Sequence, residues 1–320
     1  MKMTHLNDDQ VMQKLKNQHY SAQSTYKAYF STWLGGVTTN PSLMVLPMDD
    51  HLVHRGDGVF EAIKVVNHNI YLLRPHIDRL FYSAEQIGIQ SPLSKADLIQ
   101  VICETLKISQ SENAVLRLFL SRGPGLYSTN PADSVGAQIY LCVTELKPLP
   151  QEKFEKGVRI GRSQIPVKND WLAKIKTCNY LPNVMMKKES VERGLDFTVA
   201  FDDQGFVAES STENIFIHTK ENKLVHPGFD RILKGTTMSR LFDLVEERKL
   251  LPVLRGVKIE ENDLLQAQGL FMAGTTLDIL PVCEYEGKKV PISPMAKVFL
   301  EMIREDQKMA TSLNLDYRKG

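Results

Sequence analysis

The chain has 320 residues, 42% hydrophobic and 24% charged, with a formal net charge of +1. These proportions exclude a disordered or fibrous protein, and the near-zero charge offers no basic field for nucleic acid or an anionic membrane. A small-molecule partner is expected, and the length predicts two domains. Four cysteines, Cys103, Cys142, Cys178 and Cys283, lack any paired C-x-x-C spacing, so reduced thiols and no metal site are expected. Neither a secretory leader nor a bilayer-spanning apolar run is present in this sequence, which predicts a cytoplasmic location.

In chain order, the polar stretch from Asp8 to about Tyr29 lacks Gly and Pro and reads as a helical extension, assigned to residues 1–30. Ser42–Pro47 and Val59–Val66 read as strands, and a turn at Asn67-His68-Asn69 leads to a further strand, Ile70–Leu72. Pro75 opens a helix with Ile77, Leu80, Phe81, Ala84 and Ile87 at helical spacing, closed by Gly88. A second helix is predicted over Lys95–Leu106, then strands at Ala114–Leu120 and Ala137–Val143 around the turn-rich Ser121–Tyr127. The prolines of Glu145–Pro150 mark the boundary between a domain over 31–147 and a larger one over 151–320. In the second domain, Pro182 starts a helix ending at Gly194, and hairpins are predicted for Phe197–Phe201 with Phe206–Glu209 and for Asn214–His218 with Lys223–His226. A helix over Met238–Lys249 and a strand at Leu270–Met272 follow, and strands that cluster instead of alternating strictly with helices favour α+β.

Lys176 and Glu209 stand out because a lysine amine can hold a carbonyl cofactor as a Schiff base while a nearby acid pairs with a ring cation. Lys174 lies two residues away, on the same face of an extended segment, so periodicity alone does not choose between the lysines. Lys234-Gly235-Thr236-Thr237 opens a helix, where backbone N–H groups and hydroxyls favour phosphate, and Gly274-Thr275-Thr276 repeats that chemistry. Arg79 could add a bidentate guanidinium.

Together, Gly56-Asp57-Gly58-Val59-Phe60-Glu61, His76-Ile77-Asp78-Arg79-Leu80, Lys176–Leu181, Glu209 with Glu213-Asn214, Leu233–Thr237 and Gly274-Thr275-Thr276 give a chain that resembles the class IV, fold-type IV pyridoxal-phosphate aminotransferases. The resemblance runs from about Leu46 to Val282 and implies an α+β, two-domain fold: a small α/β sandwich and a larger pseudo-barrel. It implies pyridoxal 5'-phosphate as cofactor, Lys176 as Schiff-base lysine and proton shuttle, and Glu209 on the pyridine nitrogen. Arg79, Thr236, Thr237 and Thr275 would hold the phosphate and Tyr180 the ring hydroxyl, and the spacing to Asn179 selects Lys176 over Lys174. Amino acid and 2-oxo acid substrates, ping-pong kinetics and a homodimer are implied as well.

Substrate choice turns on Arg55, Arg117 and Thr276 as the expected substrate contacts. Arg55 stands where the branched-chain enzymes of the family carry Tyr, and Val115 stands where they carry a second Tyr, two residues before Arg117. The loop Ser121-Arg122-Gly123-Pro124-Gly125 lacks both the Arg-x-His trap of bacillary D-amino-acid enzymes and the Gly-Gly-Arg-Gly of the lyases. The expected activity is transamination of a D-amino acid such as D-alanine or D-glutamate, with aminodeoxychorismate lyase and then branched-chain aminotransferase as alternatives.

Overall fold

A computed structural model describes residues 3–319 apart from 169, 230 and 310. The N-terminal helix α1 (Asp8–Asn17) is shorter than expected. Tyr26–Ser31 is not helical but a strand, β1, with Ala28 fully buried and Tyr29 nearly so. Aromatic residues at 26, 29 and 30 favour a pleated surface, and pairing with a strand more than a hundred residues away decides the matter. Ser42–Pro47 is likewise not a strand: Pro41–Leu43 forms a 3-10 turn, and the Val45 carbonyl accepts from the Tyr29 hydroxyl instead of a ladder.

Five further strands of the first sheet are β2 (Gly36–Thr38), β3 (Gly58–Val66), β4 (Asn69–Ile70), β5 (Ala114–Ser121) and β6 (Gln138–Glu145). They run antiparallel in the order β4-β3-β5-β6-β1-β2. Helix α2 (His51–Arg55), absent from the sequence reading, is capped by Asp50, whose carboxylate accepts the Leu52 N–H at 2.8 Å. It ends at Gly56 in the left-handed region (φ +65°), where a Cβ would also lie 2.6 Å from Asn179 Oδ1. Helices α3 (Leu73–Gln86) and α4 (Lys95–Ser109) cover one face of this sheet. Alternation puts Val59, Ile63 and Val65 of β3 in that core and leaves Phe60 and Ala62 on the opposite face.

After α5 (Gln151–Lys156), the second half supplies β7 (Val158–Arg162), α6 (Leu181–Glu192), β8 (Phe197–Phe201), β9 (Val207–Ser210), β10 (Asn214–His218), β11 (Leu224–Pro227), α7 (Thr236–Glu247), β12 (Val253–Val257), α8 (Glu261–Gln266), β13 (Gly269–Gly274), β14 (Asp278–Tyr285), β15 (Lys288–Lys289) and α9 (Met295–Asp306). The path β10-β13-β14-β7-β8-β9 closes on itself through the pairing of Asn214 with Glu209, making a barrel with no free edge among those strands. Its interior is apolar, filled by Val158, Ile160, Val199, Ile215, Met272 and Leu280 among others. Helices α7 and α9 pack outside it around Phe216, Phe242, Phe271 and Phe299. The chain end returns to the first sheet: β16 (Leu315–Asp316) pairs with β4, and Asn314 accepts the Leu72 N–H at the start of α3. The C-terminal segment therefore ties both sheets together, which a boundary near residue 150 does not convey.

Candidate active site

The site lies where the two sheets meet, and β3 sets its floor. Val59 bridges Thr177, the Phe60 N–H donates to the Lys176 carbonyl at 3.0 Å, and the Cys178 N–H donates to the Gly58 carbonyl at 2.9 Å. Residues 176–178 thus act as a strand stub on β3, and the Lys176 side chain projects on the Phe60 face. Its amine lies 4.6 Å from the Phe60 ring centroid and donates to the Tyr180 hydroxyl at 3.2 Å. Lys174, by contrast, closes the 3-10 turn Asp170–Lys174, so the extended alternation does not reach back to it, and its side chain lines a different cavity.

Burial, followed by the nearby Arg79 cation, lowers the Lys176 amine from 10.5 to about 8. Glu209 moves the other way, from 4.5 to about 7: burial raises it, partly offset by the Leu233 N–H that its carboxylate accepts at 3.1 Å. Burial and the Glu209 charge hold the Tyr180 phenol protonated. A partly buried carboxylate with a raised pKa is one that a cationic ring nitrogen would suit.

A cavity of about 360 Å³ collects Arg79, Lys176, Tyr180, Thr236, Thr237, Thr275 and Thr276. Glu209 lines a smaller recess that shares Lys176, Tyr180, Thr212, Glu213, Asn214 and Leu233 with it. Arg117 is at the cavity wall, exposed on β5 opposite Ala62, with no hydrogen-bond or ion-pair partner among the described residues. Arg55 is not brought there: it is exposed beside His51, Thr129 and Asn179 in a separate cavity, its guanidinium donating to the His54 and Tyr127 carbonyls.

Four residues escaped the sequence reading as functional groups. Glu61, fully buried on β3, accepts both Nε and Nη2 of Arg79 and Nδ1 of His76, each at 2.7 Å. Its carboxyl stays ionised because Arg79 and His76 outweigh burial. The i, i+3 spacing of His76 and Arg79 put both on one face of α3, but only the fold set Glu61 opposite them. With Nδ1 donating to Glu61 and burial keeping His76 neutral, Nε2 accepts from the Thr236 hydroxyl at 3.2 Å. Thr236 therefore offers the cavity its backbone N–H, while the buried Thr237 keeps its hydroxyl proton for a ligand. Asn214 fixes the approach of Gly235: its Oδ1 lies 1.7 Å from where a Cβ would stand, and its Nδ2 donates to the Leu233 carbonyl at 3.0 Å. Lys168 rests 4.8 Å from the Tyr180 ring and adds a second cation near Glu209.

Gly235 caps α7 without a side-chain hydrogen bond, so the first-turn N–H groups have neither intrahelical acceptors nor a side-chain cap. With Arg79 beside them they are suited to an anion, in the same cavity as the Lys176 amine of lowered pKa and next to the recess that holds the Glu209 carboxylate. Fold and site together are those expected of the fold-type IV class of pyridoxal-phosphate enzymes. The family model for class IV amino-transferases matches residues 58–285, and the chain belongs to that family, whose members depend on pyridoxal phosphate and act on amino acids and oxo acids. It is 32% identical over 297 residues to the chloroplastic D-amino-acid transaminase of Arabidopsis thaliana, covering 88% of this chain and 77% of that protein. It is 33% identical over 242 residues to a putative branched-chain-amino-acid aminotransferase of Methanocaldococcus jannaschii, covering 75% and 83%. The branched-chain aminotransferase structure from Thermoproteus uzoniensis superposes with a TM-score of 0.80 at 22% identity, covering 88% of this chain and 94% of that one, which shows the shared fold. The chain is a class IV transaminase. No helix among the described residues is long and apolar enough to cross a membrane.

Proposed function

We propose that this aminotransferase moves the amino group between a D-amino acid, such as D-alanine or D-glutamate, and a 2-oxo acid, as a homodimer with pyridoxal 5'-phosphate as its cofactor. The observation that carries the cofactor assignment is the convergence of the Lys176 amine, the Arg79–Thr236–Thr237 cradle and Glu209 on adjoining spaces at the sheet junction. When bound, the cofactor supplies an electron sink that weakens the bond to the α-hydrogen of an amino acid.

The chain's own residues then have separable tasks. Lys176, with its amine near 8, has a usable neutral fraction at physiological pH, so Nζ can serve as the attachment point and afterwards accept and return a proton. Tyr180 and Phe60 fix where that amine sits, through the 3.2 Å hydrogen bond and the ring contact. Glu209 offers its carboxylate to the ring nitrogen, and Arg79, Thr237, Thr275 and the α7 N–H groups hold the phosphate, with Thr236 contributing through its backbone. Glu61 and His76 orient Arg79 and Thr236 from below. Arg117 and Thr276, on the walls of the same cavity, are suited to a substrate carboxylate.

The D-amino-acid assignment is supported by the breadth of the match to the Arabidopsis transaminase and by Arg55 and Val115 standing in place of tyrosines. Arg55 reaches a substrate in this reading only as a residue lent to the partner subunit's cavity. A branched-chain reading is favoured by the Methanocaldococcus relative and by Arg117. Purified protein loaded with cofactor and given D-alanine or L-leucine separately distinguishes them. Decay of the visible cofactor band with D-alanine is expected, and decay with L-leucine but not D-alanine rejects the assignment. Pyruvate released from aminodeoxychorismate without an amino acceptor would establish the lyase instead.

A further inference from the structure

The phosphate cradle has a second side. Behind it lies a cavity of about 570 Å³, larger than the cofactor cavity, between α3, the first turns of α7 and the segment before Gly235. Arg79 and Thr236 belong to the walls of both. Leu72, Tyr82, Phe229, Ile232 and Leu313 give it an apolar body too wide for a bare inorganic ion.

Its charges are unbalanced. Both acids on the walls are engaged elsewhere, Asp78 with Lys95 and Asp243 with Arg255. Two of the cations are engaged as well: Arg79 grips Glu61, and Arg240 holds Asp306 and Glu247. Lys174 and Lys234 have no anionic partner among the described residues, and the Lys234 amine rests only against the Phe229 ring, 6.0 Å from its centroid. On the α7 wall, the Ser239 hydroxyl oxygen is shielded from solvent and makes no hydrogen bond. A shielded hydroxyl without a partner carries an unrecovered desolvation cost, which a ligand acceptor would offset. Two uncompensated ammonium groups, one orphaned hydroxyl and an apolar body describe the complement of the occupant.

We propose that this cavity binds a small amphipathic organic anion, an aromatic or branched aliphatic phosphate or carboxylate, and that its occupancy is linked to cofactor retention through the shared Arg79 and Thr236. The linkage rests on the cofactor reading of the neighbouring cavity; the binding does not.

Phenyl phosphate is the probe, titrated by calorimetry into protein saturated with pyridoxal phosphate, so that the cofactor's own cradle is filled. One saturable site per chain is expected. Its affinity should fall at least tenfold in the Lys174→Gln/Lys234→Gln double variant and fall further with salt. Inorganic phosphate, lacking the apolar body, and phenol, lacking the charge, should each bind at least tenfold more weakly than phenyl phosphate. No binding to the loaded protein, or equal affinity in the double variant, overturns the site. Cofactor Kd measured with and without saturating phenyl phosphate should differ at least threefold, and the double variant should abolish the difference; an unchanged Kd overturns the linkage. If the chain takes up no pyridoxal phosphate, the cofactor reading and the linkage fall together, and the same probe comparison on the unloaded chain decides the site.

Discussion

Replacing Glu61 with Gln tests whether the Arg79 cradle is held from below. The wild-type carboxylate is fully buried and receives three charge-assisted or ring N–H bonds at 2.7 Å, two from Arg79 and one from His76. Burial alone would raise its pKa, but Arg79 and His76 hold it at about 2 against an ordinary 4.5. By linkage that depression is worth about 3 kcal/mol, within the roughly 3 to 5 kcal/mol expected when one member of a buried pair is removed. For a chain of this length, that corresponds to a fall in Tm of about 5 °C. Since the folded carboxyl is the stronger acid, its contribution is complete above about 4.5 and is lost as pH falls toward 2, so the gap between wild type and Glu61→Gln should narrow at pH 3. Thermal unfolding of wild type, Glu61→Gln, Arg79→Met and the double variant, followed by circular dichroism at pH 7 and pH 3, measures both effects. Glu61→Gln should cost less in the Arg79→Met background, where no cation is left stranded. A variant melting within about 1 °C of wild type at pH 7, or strictly additive losses in the double variant, would refute the argument.

Three further outcomes are expected. Lys176→Ala should lose the visible cofactor band and at least about a thousandfold in amino transfer, whereas Lys174→Ala keeps both; the reverse pattern in absorbance and turnover would contradict the placement of the two lysines. Cofactor uptake by the unloaded chain should speed up between pH 7 and pH 9, because the Lys176 amine becomes neutral as pH rises through about 8; a flat stopped-flow absorbance profile over that range would count against it. Gly235→Ala would drive its Cβ to within 1.7 Å of Asn214 Oδ1, so cofactor Kd should weaken about tenfold or more, with partial recovery in Gly235→Ala/Asn214→Ala. Wild-type affinity in the single variant would disprove the need for a bare backbone there.

Sequence alone determined the α+β class, most strands from Gly58 onward and the short motifs whose residues the structure gathers in one cavity and its neighbouring recess, because those depend on local periodicity and on residues near one another in the chain. Gly235-Thr236-Thr237 at a helix start and Lys176 before Asn179 are signals of that kind. What depends on distant partners needed the tertiary structure. Tyr26–Ser31 is a strand because β6 pairs with it, and the C-terminal β16 belongs to the first sheet because β4 offers a free edge. Periodicity left Lys174 and Lys176 equivalent and the spacing to Asn179 favoured Lys176; the 3-10 turn and the bridge to Val59 send their side chains to different cavities. Glu61 was visible as a letter in Gly-Val-Phe-Glu, but its ion-pair network arises from a strand and a helix packing so that one buried carboxylate faces both His76 and Arg79. Desolvation, which lowers the Lys176 amine and raises the Glu209 carboxyl, is a property of the closed junction between the sheets and has no counterpart in the linear chain.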